Sequence, residues 1–264
     1  VHRFFSPLCI KLYALLAVCL TAFHAWPHLQ RSEWNRERLY RQLLAGTDKQ
    51  RLAAAEQLVT SGGGDQLLKA LQSDSPSVRT MAISALFDLW AAQEGDEAAF
   101  LLQVANDSLE RKNLKGALNH LTRLTRTHPF FAEGWNRRAT LLWQLGQVEQ
   151  ALADCRKAVR LNPEHFAAWQ GMGLCQVKLG DLAGAIKSFR EALKLMPHDR
   201  PTQRFLHWAE ETHRPARTEE PPKHHPVNWR RGLSLRSKLK AGFVFPEAKR
   251  GQKSARSNRA RLIS

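Results

Sequence analysis

The sequence is poor in the features that announce chemistry. It holds four cysteines in 264 residues, too few for a disulfide framework. No His-Glu-x-x-His, no paired Cys-x-x-Cys and no Gly-rich loop leading into Lys-Ser/Thr occurs. The spacings that hold zinc or cradle nucleotide phosphates are therefore missing. Gly62-Gly63-Gly64 lacks both the lysine and a preceding strand, and reads as a linker between helices. No alternating apolar pattern extends beyond four residues, which argues against a sheet. Glycine and proline together number 27, about a tenth of the chain, which excludes a collagen-like fibre. The carboxylates are scattered and no pair is assignable to acid–base work. His213, His224 and His225 read as solvated side chains before they read as a metal site. No catalytic residue, metal ligand or cofactor is expected.

Charge of one sign is plentiful but unevenly placed. Of 40 basic and 24 acidic residues, residues 32–212 carry nearly balanced numbers, whereas residues 213–264 hold 14 Lys/Arg against Glu219, Glu220 and Glu247. The basic character belongs to a tail. Residues 215–226 are rich in proline and charge, as linkers are, and residues 228–264 interleave Lys/Arg with Trp229, Phe243 and Phe245. Such a segment buries too little apolar surface to fold, so a disordered tail is expected. It is either merely solvated, or bound to nucleic acid through phosphate charge, or bound to anionic lipid or an acidic protein.

At the other end, Leu12 to Ala25 reads LYALLAVCLTAFHA behind Arg3 and Lys11. A basic start before an apolar stretch describes an export signal or a signal anchor, so residues 1–31 are expected to lead the chain to a membrane, with residues 4–29 as the membrane-contacting part. Membrane-anchored or exported is one expected location and cytoplasmic the alternative.

The middle of the chain repeats. Pro129, Pro163 and Pro197 are each separated by 34 residues, which divides the sequence into units 98–131, 132–165 and 166–199. Position 8 of each unit is small (Ala105, Ala139, Gly173), and so is position 20 (Ala117, Ala151, Ala185). Position 15 is Lys112, Gly146, Gly180, and position 24 is Leu121, Cys155, Phe189. These placements predict two antiparallel helices per unit. Small residues let the two backbones approach, glycine closes the first helix in a left-handed conformation, and proline stops the second. One such unit cannot bury both its faces, so the units must stack.

The runs WNRRATLLWQLGQVEQALADCRKAVRLNP and WQGMGLCQVKLGDLAGAIKSFREALKLMP resemble the tetratricopeptide repeat (TPR) family at nearly every signature position. The first unit departs from it at Lys112 and Leu124. EGWNRRATLLW is also similar to short exported bacterial proteins carrying these repeats. Residues 200–212 fit a polar-faced capping helix. Upstream, helices are expected at 33–44, 50–59 and 66–71. Asp74-Ser75-Pro76 then turns the chain into a further helix. Residues 64–92 resemble a HEAT-type repeat, with Asp74 and Arg79 at its charged positions. The expected fold is all-α: a right-handed helical-hairpin solenoid, with a HEAT-like region over 33–92 followed by three TPR units and the cap over 98–212.

The resemblance implies that the first helix of each unit lines a concave face that holds a protein or peptide partner. Asn106, Asn136, Arg137, Thr140, Gln144, Gln170 and Lys178 fall at the matching positions. Side-chain amides there can bond a partner's main chain as donor and acceptor, and Arg137 can pair with a carboxylate. The subset of the family that clamps a terminal carboxylate uses basic residues where this chain has Leu102, Ala167 and Gly171, so that clamp is not expected. Trp135, Trp143 and Trp169 are expected to pack, and Cys155 and Cys175 to be small buried residues unless an oxidising compartment joins them. The reading is a protein-binding scaffold. Its rivals are a nucleic-acid- or ribosome-associated adaptor working through the tail, and an accessory subunit of a cell-envelope assembly.

Overall fold

The computed structural model describes residues 32–213, so the expected signal segment and basic tail lie outside the described residues. Every described element is a helix: α1 (Glu33–Ala45), α2 (Asp48–Ser61), α3 (Gly64–Ala70), α4 (Pro76–Ala92), α5 (Gly95–Glu110), α6 (Leu114–Thr127), α7 (Ala132–Gln144), α8 (Val148–Leu161), α9 (Phe166–Lys178), α10 (Leu182–Leu195) and α11 (Arg200–His213). Among the described residues no helix is long and apolar enough to cross a membrane. The described residues fall into two compact units that part between Leu89 and Trp90, near the end of α4. The sequence placed this boundary after residue 92.

In the first unit α1 packs on α2 and α3. The Ser32 hydroxyl caps α1 by accepting from the Asn35 N–H. Thr47 and Gln50 form a reciprocal capping box at the start of α2, satisfying donors that a helix start leaves open. Gly62 closes α2 at φ 72°, as a linker glycine should. Arg79, expected at a charged HEAT-type position, donates to the carbonyls of Ser73 and Asp74 at 2.6 and 2.8 Å and braces the turn into α4. Leu39, Leu43, Leu58 and Leu67 are fully buried.

The second unit consists of three helical hairpins and a cap. α5 pairs with α6, α7 with α8, and α9 with α10. α6 then packs on α7, α8 on α9, and α10 on α11. The small residues at position 20, Ala117, Ala151 and Ala185, are all at 0% exposure, which is what lets each pair of helices close. Positions 8 and 24 are matched in size. A methyl added at Gly173 would lie 2.5 Å from the ring of Phe189, so the bulky ring requires the glycine opposite it. Gly146 and Gly180 take φ 78° and 82°, and Lys112, their counterpart in the first unit, takes φ 58°. The turn geometry of the repeat thus persists where its glycine is absent. A side chain in that region costs about 1–2 kcal/mol.

Tryptophan does more than pack. Trp135 donates its indole N–H to the carbonyl of Pro129 at 3.0 Å, and Trp169 does so to Pro163 at 2.8 Å. Gln203, at the same phase, donates to Pro197. Each proline that ends a hairpin thereby has its carbonyl satisfied by the next unit.

Lys112→Gly is expected to raise the unfolding free energy by about 1 kcal/mol, read by urea denaturation of the full chain; a lowered midpoint would contradict this account of the turn. Gly173→Ala is expected to lower it by roughly 1–3 kcal/mol through overpacking against Phe189. An unchanged midpoint would show that the ring moves aside without cost.

Candidate functional site

The first helices of the three hairpins, α5, α7 and α9, carry the residues expected to meet a partner. Helical spacing puts positions 2, 5, 9 and 13 of a unit on one side of each helix, and the 34-residue phase brings those sides into register.

On α7 that side is occupied by a buried carboxylate. Glu133 is 1% exposed. Its Oε2 receives the Nε2–H of His165 at 2.8 Å and the Nδ2–H of Asn136 at 3.2 Å, and its Oε1 is bonded by Arg137. His165 is itself fully buried. Its Nδ1 accepts the N–H of Ala168, capping α9, which leaves Nε2 as the donor to Glu133. The ring is stacked against Trp90, with centroids 4.5 Å apart. Trp90 also touches Phe166. The end of α4 therefore belongs with the repeats. Burial on its own would raise the Glu133 pKa. The Arg137 charge and the hydrogen bonds from His165 and Arg137 outweigh it and hold the carboxyl below the ordinary value of 4.5.

One unit further on, the arrangement returns with other residues. Asp199 stands 34 residues after His165. It caps α11 by accepting the Thr202 N–H at 3.0 Å, and it also accepts the Nε2–H of Gln170 at 3.0 Å. Gln170 donates to the Thr202 hydroxyl as well. At both junctions the residue that caps a helix is bonded to the first helix of the preceding hairpin. At the junction between the first and second hairpins the same position is Phe131, which is buried and makes no side-chain cap.

A second brace lies behind this face. Arg138 grips Asp154 through two bonds of 2.7 and 2.8 Å, donates to Thr125 and lies over the Trp135 ring, joining α7 to both neighbouring second helices.

The seven expected partner-binding residues separate into two groups. Asn136 and Gln170 are buried, at 4% and 3% exposure, and their amide N–H groups bond the chain's own side chains. Arg137 is bonded to Glu133, and the Thr140 hydroxyl donates to the carbonyl of Asn136. Asn106 is half-buried, and Gln144 and Lys178 are exposed. Position 34, which ties the units together, escaped the sequence reading. Its one signal was that His165 and Asp199 are both side chains able to cap a helix. Cys155 and Cys175 are free and buried. The Cys155 thiol is pushed well above its ordinary value by its hydrogen bond with Cys175 and by burial. Among the described residues no group of three or more His, Cys, Asp or Glu is placed to hold a metal.

The family model described as tetratricopeptide repeat matches residues 102–163 and 136–200. Residues 102–200 are tetratricopeptide repeats. A TPR repeat-containing protein of Rhizobium etli is 29% identical over 140 residues, covering 53% of this chain and 69% of that protein. The human DnaJ homolog subfamily C member 7 is 30% identical over 99 residues, 38% of this chain. The chain spans only 20% of the length of that relative. Among solved structures, the Sgt2 TPR domain from Aspergillus fumigatus aligns with 53% of this chain and 93% of its own, at 22% identity and a TM-score of 0.44.

Glu133→Gln tests the buried cluster through pH. In the unfolded chain Glu133 takes up a proton near its ordinary value, while the folded protein resists that proton. Its contribution is therefore fully present above about pH 4.5 and is lost as the pH falls through the lower folded value. The stability difference between wild type and Glu133→Gln is expected to be largest near neutrality and to shrink in acid. A difference that stays constant from neutral to acid would contradict the cluster. Arg137→Ala is expected to cost about 2 kcal/mol, because it strips a charged hydrogen bond from a buried acceptor.

Proposed function

We propose that the repeats hold an extended or helical segment of a partner protein against α5, α7 and α9, and that residues 4–29 tether the chain to a membrane. The observation that carries the first part is a pair of unsatisfied acceptors. Asn136 Oδ1 and Gln170 Oε1 are both buried without a hydrogen-bond partner. They occupy position 5 of successive units, 34 residues apart. A buried acceptor left unpaired costs about 1–3 kcal/mol. Main-chain N–H groups of an incoming segment would recover that cost at both places at once. Neighbouring side chains must turn aside to admit them. Asn106, Thr140, Gln144 and Lys178 supply further polar contacts along the same side.

The partner is a segment recognised along its length. Leu102, Ala167 and Gly171 offer no charge for a terminal carboxylate. The second part rests on the apolar run behind Arg3 and Lys11. Residues 64–92 are read as a HEAT-type repeat.

Gln144→Ala combined with Lys178→Ala removes exposed groups that hold nothing else in place. The double variant is expected to keep its unfolding midpoint, since exposed substitutions typically stay within about 0.5 kcal/mol. It is expected to recover less of the partner that wild type captures from native cells. Equal recovery by both would contradict the assignment of this face.

A further inference from the structure

The near-neutral total of the repeat region conceals a strong segregation of charge. α5 carries Asp96, Glu97, Asp107 and Glu110 and no base, whereas α6 carries Lys115, Arg123 and Arg126 and no acid. In the first and third hairpins the second helix is the more basic, whereas α7, with Arg137 and Arg138 against Glu133, and α8, with three bases against Glu149 and Asp154, each carry one net positive charge. Positions 25, 26 and 29 place Arg123 and Arg126 on α6, then Arg156, Lys157 and Arg160 on α8, with Lys187 a turn earlier on α10. All are exposed except Lys157, which is half-buried. Among the described residues none of these six has a hydrogen-bond or ion-pair partner. The acids on the same helices are otherwise engaged or distant. Asp154 is held by Arg138, Glu191 pairs with Lys194, and Glu149 sits in the first turn of α8. Arg190 pairs with Glu210.

Helix dipoles account for part of this pattern only. A base in the last turn is favourable, which explains Arg126, Arg160 and Lys194. It leaves Arg123, Arg156, Lys157 and Lys187 without a structural reason. Positions 26 and 29 are basic in the first two hairpins, and Lys187 lies on the same side of α10 one turn before Glu191, so the exposed side of α6 and α8 is a basic band that Lys187 continues onto α10.

We infer that this band docks the repeats on an anionic lipid bilayer, with Arg123, Arg126, Arg156, Lys157, Arg160 and Lys187 meeting phosphate headgroups. The inference rests on the proposed tether at residues 4–29, which would keep the repeats beside a membrane. A bilayer fits better than nucleic acid because the only Phe, Trp or Tyr on α6, α8 or α10 is Phe189, which is 1% exposed, and the exposed Phe130 just past α6 is one ring and not the series on which successive bases stack. Held this way, the band would turn α5, α7 and α9, with their partner-binding side, away from the lipid.

The test uses the full chain. It is mixed with vesicles of phosphatidylcholine, with the same vesicles containing phosphatidylglycerol, and, without lipid, with a short RNA duplex. Flotation records association, and amine acetylation read by mass spectrometry records which lysines are covered. On the anionic vesicles, Lys157 and Lys187 are expected to lose about fivefold in reactivity, the factor that corresponds to ~1 kcal/mol per basic residue near such a surface. Lys49 on α2 and Lys178 on α9 are expected to stay reactive. Unchanged Lys157 and Lys187 on protein that floats with anionic vesicles would overturn the inference. So would protection by the RNA and not by the vesicles. Failure of the tether shows separately, as protein that does not float with neutral vesicles. A chain that floats with neither vesicle type loses both readings.

Discussion

The hydrogen bond from His165 to Glu133 is the contact on which the arrangement of the repeats depends. A carboxylate at 1% exposure is untenable without donors, because removing a charge from water costs several kcal/mol. The donors come from two places. Arg137 and Asn136 are on its own helix, and His165 is the cap of the next hairpin. His165 is the donor that links separate elements. It is committed in turn by the Ala168 N–H on one ring nitrogen and by the Trp90 ring against its face. Moving α9 relative to α7 would take from the carboxylate the one donor that its own helix does not supply. Asp199 and Gln170 repeat the device at the next junction without an ionic pair.

This has a consequence for what the scaffold can offer a partner. The polar side chains at the centre of the first helices are largely consumed in holding hairpins together. What remains there is the acceptor half of two amides, together with exposed groups at the ends of the helices, Gln144 and Lys178. On the second helices Asp154, Arg190, Glu191 and Lys194 are spent in ion pairs, while Arg123, Arg126, Arg156, Lys157, Arg160 and Lys187 have no such partner among the described residues. Two sides of one stack thus have different chemistry: one nearly satisfied and selective, the other basic and permissive. That division follows from position within the repeat and not from the overall charge.

Much of this was readable from residue spacing. Three prolines at one interval located the hairpins, and the small residues at positions 8 and 20 located the close helix contacts. Glycines at 146 and 180 located the left-handed turns, and all these places agree with the structure. Lys112 shows the limit of residue identity as a guide, because packing on either side imposes the turn on a residue that would not choose it. The groups whose bonding periodicity does not reveal are the buried polar ones. Asn136 and Gln170 have the spacing of a binding face, but their amides bond partners 3 to 32 residues away. The bonds from Gln170 to Asp199 and Thr202 join separate elements, and no pattern within one helix reveals them. Trp90 lies on a helix that begins upstream at Pro76, and its ring contacts with His165 and Phe166 place it with the repeats. The basic band was hidden by summing charge over a region in which α5 and α6 cancel. Residues 1–31 and 214–264 lie beyond the described part of the chain, so the apolar run and the basic tail rest on their sequence.

At two junctions a cap residue locks a helix to the hairpin before it: His165 ties α9 to α7, and Asp199 ties α11 to α9. A double-mutant cycle on Glu133 and His165 measures this most directly. Glu133→Gln removes the charge, and His165→Asn keeps a side chain able to cap α9 while withdrawing the reach to residue 133. The two substitutions together are expected to cost less than the sum of their separate effects, by a coupling of about 1.5 kcal/mol or more in urea unfolding of the full chain. Effects that add to within about 0.5 kcal/mol, the range of independent sites, would contradict it.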